Sequence, residues 1–134
     1  FEKLRVNVTI TTDSEDVRRR YEPRCPSIRA RIKAAAALSA AGVRIGVSIS
    51  PMLPVKDAEA FGAMLADLRA DEYATQYLKP GRSQFAAGTS AEALRQVRED
   101  GWGVCEYRQA REVLARILGD ERPLLEGVAG FAPA

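Results

Sequence analysis

The 134 residues suffice for one domain or a piece of one, and a composition of 46% hydrophobic and 28% charged side chains excludes wholesale disorder. Twenty basic against eighteen acidic residues leave a net charge of +2, too even to argue for a polyanion or an anionic membrane as partner. No apolar run approaches the roughly 18 residues of a membrane span, so no membrane partner is expected. The absence of histidine removes Ser-His and Cys-His nucleophile schemes and the commonest metal ligand.

The chain opens Phe1-Glu2-Lys3-Leu4-Arg5, without a methionine or a hydrophobic leader, and reads as a piece of a longer protein. Arg5 through Thr12 alternates β-branched and polar residues and predicts the first strand. Residues 17–24 read as a charged connection. A helix is expected from Ser27, a capping residue behind Pro26, to Ala41, with Gly42 as its stop. Arg44 through Ser50 is the second strand, closed by Pro51 and Pro54. Asp57 caps a second helix whose apolar side carries Phe61, Met64, Leu65 and Leu68. A third strand spans about Tyr73 to Leu78, and Lys79-Pro80-Gly81 turns the chain into a polar loop. Thr89 and Glu92 form a capping-box pattern before a helix that ends at Gly101-Trp102-Gly103, and a last helix runs from about Glu106 to Leu118.

Strand–helix–strand–helix–strand is the pattern of right-handed βαβ units and hence of a parallel sheet in an α/β fold. Parallel strands covered on both faces read as continuous apolar runs, and these do not. Val6, Val8 and Ile10 alternate with Asn7, Thr9 and Thr11; Ile45, Val47 and Ile49 alternate with Gly46, Ser48 and Ser50. One face therefore suits packed helices, and the other suits a ligand-lined cavity; its plain alternative is a simply solvated face, common in antiparallel sheets and rare in parallel ones. Such ligands gather at the C-terminal ends of strands in barrel-type folds. Two cysteines, Cys25 and Cys105, lie far apart without a CxxC, so reduced thiols and a cytoplasmic setting are expected.

Taken in order, Thr9-Ile10-Thr11-Thr12, Tyr21-Glu22-Pro23-Arg24-Cys25-Pro26-Ser27, Arg31, Ala41-Gly42-Val43 and Gly46 through Pro54 resemble the C-terminal half of radical S-adenosylmethionine enzymes of the spore-photoproduct-lyase-like group. The resemblance covers residues 1–80; residues 81–134 read as a helical extension. It implies a parallel βαβαβ portion, strands four to six, of a partial (β/α)6 barrel followed by C-terminal helices. It further implies a parent enzyme that cleaves S-adenosylmethionine reductively at a [4Fe–4S] cluster to make a 5′-deoxyadenosyl radical for hydrogen abstraction. The cluster-holding CxxxCxxC of that group is absent here, so this chain alone is expected to hold no cluster and to be catalytically incompetent. The sequence also departs from the group at Val55-Lys56-Asp57, where relatives tend to carry Gly-x-Asn-Asp.

Carried over residue by residue, Ser27 resembles a serine that contacts the methionine or ribose part of the cofactor, and it is equally an ordinary N-cap. Lys3 resembles a lysine that pairs with the methionyl carboxylate; its plain alternative is a solvated lysine. Thr9 and Thr11 would face the lumen near the ribose or substrate, or serve only as strand formers. Glu22 and Arg31 read as an ion pair fixing the loop before the helix, and Arg18-Arg19-Arg20 as a solvated face.

The expected function is thus one wall of the cofactor and substrate cavity, with the remaining barrel strands, or another chain, pairing at the open sheet edge. A nucleic-acid substrate follows from analogy with the lyase alone. The alternative is a non-catalytic α/β module that pairs its open edge with another chain. An unrelated barrel enzyme using carboxylates and Lys79 ranks last, because Asp57 and Glu59 suit capping and the helix dipole.

Overall fold

The computed structural model describes residues 4–78 and 91–126. Among these, the elements run β1 (Arg5–Thr9), α1 (Glu15–Tyr21), α2 (Ile28–Ala40), β2 (Arg44–Ile49), α3 (Ala58–Asp67), β3 (Glu72–Thr75), α4 (Ala91–Glu99), α5 (Val104–Leu118) and β4 (Leu124–Glu126). The four strands form one all-parallel sheet in the order β1-β2-β3-β4. Right-handed crossovers between neighbours in chain order bring every connecting helix to the same face.

That face is the aliphatic one expected from the alternation. Ile45, Val47 and Ile49 are buried, and Tyr73 and Thr75 continue the layer on β3. Against them pack Ile28 and Ala35 of α2, Phe61 and Leu65 of α3, and Tyr107, Ala110 and Leu114 of α5. The ladder outlasts the strands proper: Ile10 N donates to Ser48 O, Leu53 N to Thr11 O and Met52 N to Gln76 O. Met52 is buried and Met64 half-buried, both as core packing. Trp102 is buried too, and its indole N–H donates to Met52 O at 3.0 Å, which seats the Gly101-Trp102-Gly103 break against the end of β2. Tyr77 and Tyr107 pair their rings at 5.1 Å, and the Tyr73 hydroxyl bridges Leu65 O and Ala70 N.

The caps follow the sequence. Ser27 accepts from Ala30 N and Asp57 from Ala60 N, and Gly42, with φ +82°, ends α2 in the left-handed region that glycine tolerates. Two elements differ from expectation. The segment read as a charged connection is α1: Ser14 caps it, Glu15 and Asp16 fill its first turn, and Arg18, Arg19 and Arg20 fill its last. That distribution complements the helix dipole at both ends. The arginine run is correspondingly not one solvated face. Arg19 stays exposed, Arg20 bonds Asp100 at 2.8 Å, and Arg18 is buried. The Tyr21 hydroxyl also donates to Asp100, tying α1 to the end of α4.

The second difference is β4, a three-residue strand that extends the sheet beyond β3. Its short Leu-Leu-Glu stretch is too brief to announce itself by alternation. Residues 79–90 and 127–134, including the expected polar loop, Lys79 and the Thr89 half of the capping box, lie outside the described residues. Among the described residues no helix is long and apolar enough to cross a membrane.

Helices α3 and α5 pack against each other, and Gly62 lies in their contact. A Cβ at Gly62 would stand 2.8 Å from Ile117 Cδ1 and 3.3 Å from Leu114 Cδ2. Gly62→Val should therefore cost about 1–3 kcal/mol by overpacking, read as a lower urea midpoint with an unchanged m-value. Wild-type stability in that variant would show that the two helices do not meet at Gly62.

Candidate functional site

With the helices on one side, the other side of the sheet carries small and polar residues. Asn7, Gly46 and Glu72 stand in one row across β1, β2 and β3, and Thr9, Ser48 and Ala74 in the next. Together with Val47 they line a shallow groove of about 170 Å³. That is below the ~300 Å³ at which enclosed small-molecule pockets usually begin, as suits one wall of a site.

Gly46 makes the groove floor. A side chain there would collide with Oδ1 of Asn7 and come within 3.6 Å of Arg5 Cδ. Over this glycine Arg5 reaches from β1 to Glu72 on β3, and the two form an ion pair through Nη1 and Oε2. The second carboxylate oxygen, Oε1, is buried without a hydrogen-bond partner.

The C-terminal end of β1 is held by a second group of contacts. Thr11 Oγ1 donates to the Glu22 carboxylate at 3.1 and 3.2 Å, and Arg31 Nη2 donates to the same carboxylate at 2.9 Å. Arg31 also donates through Nη1 to Thr9 O at 3.1 Å and through Nε to Pro26 O at 3.0 Å. The expected Glu22–Arg31 pair therefore exists and fixes the loop before α2. From α1, Arg18 donates to Cys25 O at 2.8 Å, to Glu22 O at 3.3 Å and to Glu15 at 2.8 Å. Glu15 in turn accepts from Ile28 N at the start of α2. The Arg18 guanidinium, helped by the Ile28 N–H, holds the Glu15 carboxyl below its ordinary value against the opposing effect of burial.

Of the residues singled out in the sequence, Thr9 is exposed on the open face and Ser27 is half-buried at the N-cap of α2. Thr11 is 1% exposed, and its hydroxyl is occupied by Glu22. Arg31 links these three positions into one neighbourhood; Lys3 lies outside the described residues. Sequence reasoning passed over Glu72 and read Arg18 only as part of a solvated charge run. Glu72 precedes the expected strand start by one residue, and two-residue alternation with Ala74 would have found it. Arg18 stands three residues after Glu15, the spacing of a helical ion pair.

Among the described residues no group of His, Cys, Asp or Glu could hold a metal ion, and Cys25 and Cys105 are both free and exposed. Comparison with family models, curated proteins and solved structures finds no match.

Two outcomes follow from this geometry. Gly46→Val should fill the groove and drive Asn7 from its place, lowering the urea midpoint by the equivalent of about 1–3 kcal/mol; an unchanged midpoint would mean the floor is not packed. Glu15, with its folded pKa depressed, adds stability that is fully present above its unfolded pKa of about 4.3 and is lost as pH falls through the lower folded value. Glu15→Gln should accordingly flatten the fall in urea midpoint between roughly pH 5 and 3. Parallel wild-type and variant curves would remove Glu15 from the acid response.

Proposed function

We propose that this chain forms one wall of the cofactor and substrate cavity of a radical S-adenosylmethionine enzyme of the spore-photoproduct-lyase-like group, as a portion of a partial (β/α)6 barrel. The observation that carries the reading is the consecutive parallel strand order, with helices on one face and a small, polar groove on the other. Barrels wind in this way, whereas doubly wound sheets reverse their order and cover both faces. The order of motifs from Thr9 to Pro54 supports the same reading.

The residues present do not fit an iron–sulfur cluster. One cluster takes several thiolates, and the chain's two cysteines are far apart, exposed and without a CxxxCxxC. The residues present do fit the polar parts of S-adenosylmethionine, which presents amine, carboxylate and hydroxyl groups. Gly46 leaves the face concave, and Asn7, Thr9 and Ser48 along the groove offer donors and acceptors. When bound, the cofactor supplies hydrogen-abstraction chemistry through its reductive cleavage. The part of this chain is to bind and orient, with Thr9 and Ser27 at the C-terminal end of β1.

A second reading, an interaction module that pairs a strand with another chain, is favoured by β1. Among the described residues it bonds a neighbour strand on one side alone, and Leu4 beside it is 46% exposed. Intact mass, anaerobic iron and sulfide content, and formation of 5′-deoxyadenosine under a strong reductant separate the two. A chain heavier than 14.6 kDa with about four irons and reductant-dependent 5′-deoxyadenosine is the expected result. An iron-free chain of 14.6 kDa that forms strand-paired complexes would overturn it.

A further inference from the structure

Arg31, in the first turn of α2, joins the end of β1, the loop after α1 and the residue before the α2 cap. Its three nitrogens point in three directions, to Thr9 O, to Pro26 O and to the Glu22 carboxylate, at 2.9 to 3.1 Å. Glu22 passes the link on to Thr11 Oγ1. The Arg31 and Glu22 side chains are only 10% and 19% exposed, so the pair is shielded from the screening that weakens surface ion pairs. A rigid planar fork is needed for such a three-way bond, because an ammonium is a single point of attachment on a flexible stem.

Pro26 immediately precedes Ser27, so the Arg31–Pro26 bond sets where α2 begins. The Arg31–Thr9 bond sets the strand end that faces the groove. We propose that Arg31 and Glu22 are positioning residues, which fix Ser27 and Thr9 relative to each other so that both can engage one ligand at the C-terminal end of β1. This inference rests on the cavity-wall reading above and adds to it the pair that aligns the wall. A misplacement of about 1 Å is enough to cost a large factor in binding or rate, which gives the clamp functional weight beyond stability.

The test uses the full-length protein with its cluster reconstituted, and S-adenosylhomocysteine as a redox-inert probe, titrated calorimetrically well below every variant's Tm. Arg31→Lys should raise the Kd of the probe about tenfold or more, since the charge remains and the fork is lost. Glu22→Gln should raise it less. The double variant should bind no worse than Arg31→Lys alone, the coupling expected of residues acting as a unit. In turnover, KM for S-adenosylmethionine should rise while kcat at saturation holds. A lowered Tm with unchanged Kd in both variants would show a purely structural pair and overturn the proposal. Should Arg31→Lys fail to fold, Glu22→Gln carries the same test. A wild-type protein that does not bind the probe overturns the cavity-wall reading, and this inference with it; wild-type binding that both variants retain overturns this inference alone.

Discussion

Parallel strands cannot be joined by tight turns, so each connection must cross over the sheet, and chirality makes each crossover right-handed. When the strands also lie side by side in chain order, every helix is delivered to one face. The remainder of this structure follows from that constraint. One side of the sheet becomes the core, closed by α2, α3 and α5 over Ile45, Val47, Ile49 and Tyr73. The other is left with Asn7, Thr9, Ser48 and Glu72, around a glycine that keeps it concave. A polar face on a parallel sheet is unusual enough to call for a ligand or a covering element, which is why function is sought there.

The sheet supplies the surface, and the loop between α1 and α2 supplies its precision. Six residues, 22–27, connect the two helices beside the end of β1. Two arginines hold this stretch from opposite sides, Arg18 through Cys25 O and Glu22 O, and Arg31 through Pro26 O. These bonds restrict an otherwise exposed connection, each adding on the order of 0.5–1.5 kcal/mol. Arg18 is buried with its three acceptors, and its neighbour Arg19 stays exposed beside Asp16.

Much of the fold was legible because two periodicities carried it. Alternation in β1 and β2 announced both strands and both faces, and helical spacing of Phe61, Leu65 and Leu68 announced the helix face that the core uses. Ser27, Asp57 and Gly42 marked helix ends because capping is local chemistry. Helix α1 was missed although its charges are ordered for a helix dipole. Its seven residues bury only Val17 and Arg18, too few for a periodic signal. Strand β4 was missed because three residues hold no period, and its pairing with β3 is a long-range event.

The sequence by itself determined the layer chemistry, the caps, the Glu22–Arg31 pairing partners and the absence of a cluster-binding cysteine set, since each is encoded in residues near one another or in their count. The tertiary structure alone decided which acceptors the arginines reach, that Arg5 crosses Gly46 to Glu72, and that Trp102 ends on Met52 O. Those contacts join positions about fifty or more residues apart, or depend on carbonyl directions, and neither is written in local pattern. Strand register and backbone path set them, and these exist only once the sheet has formed.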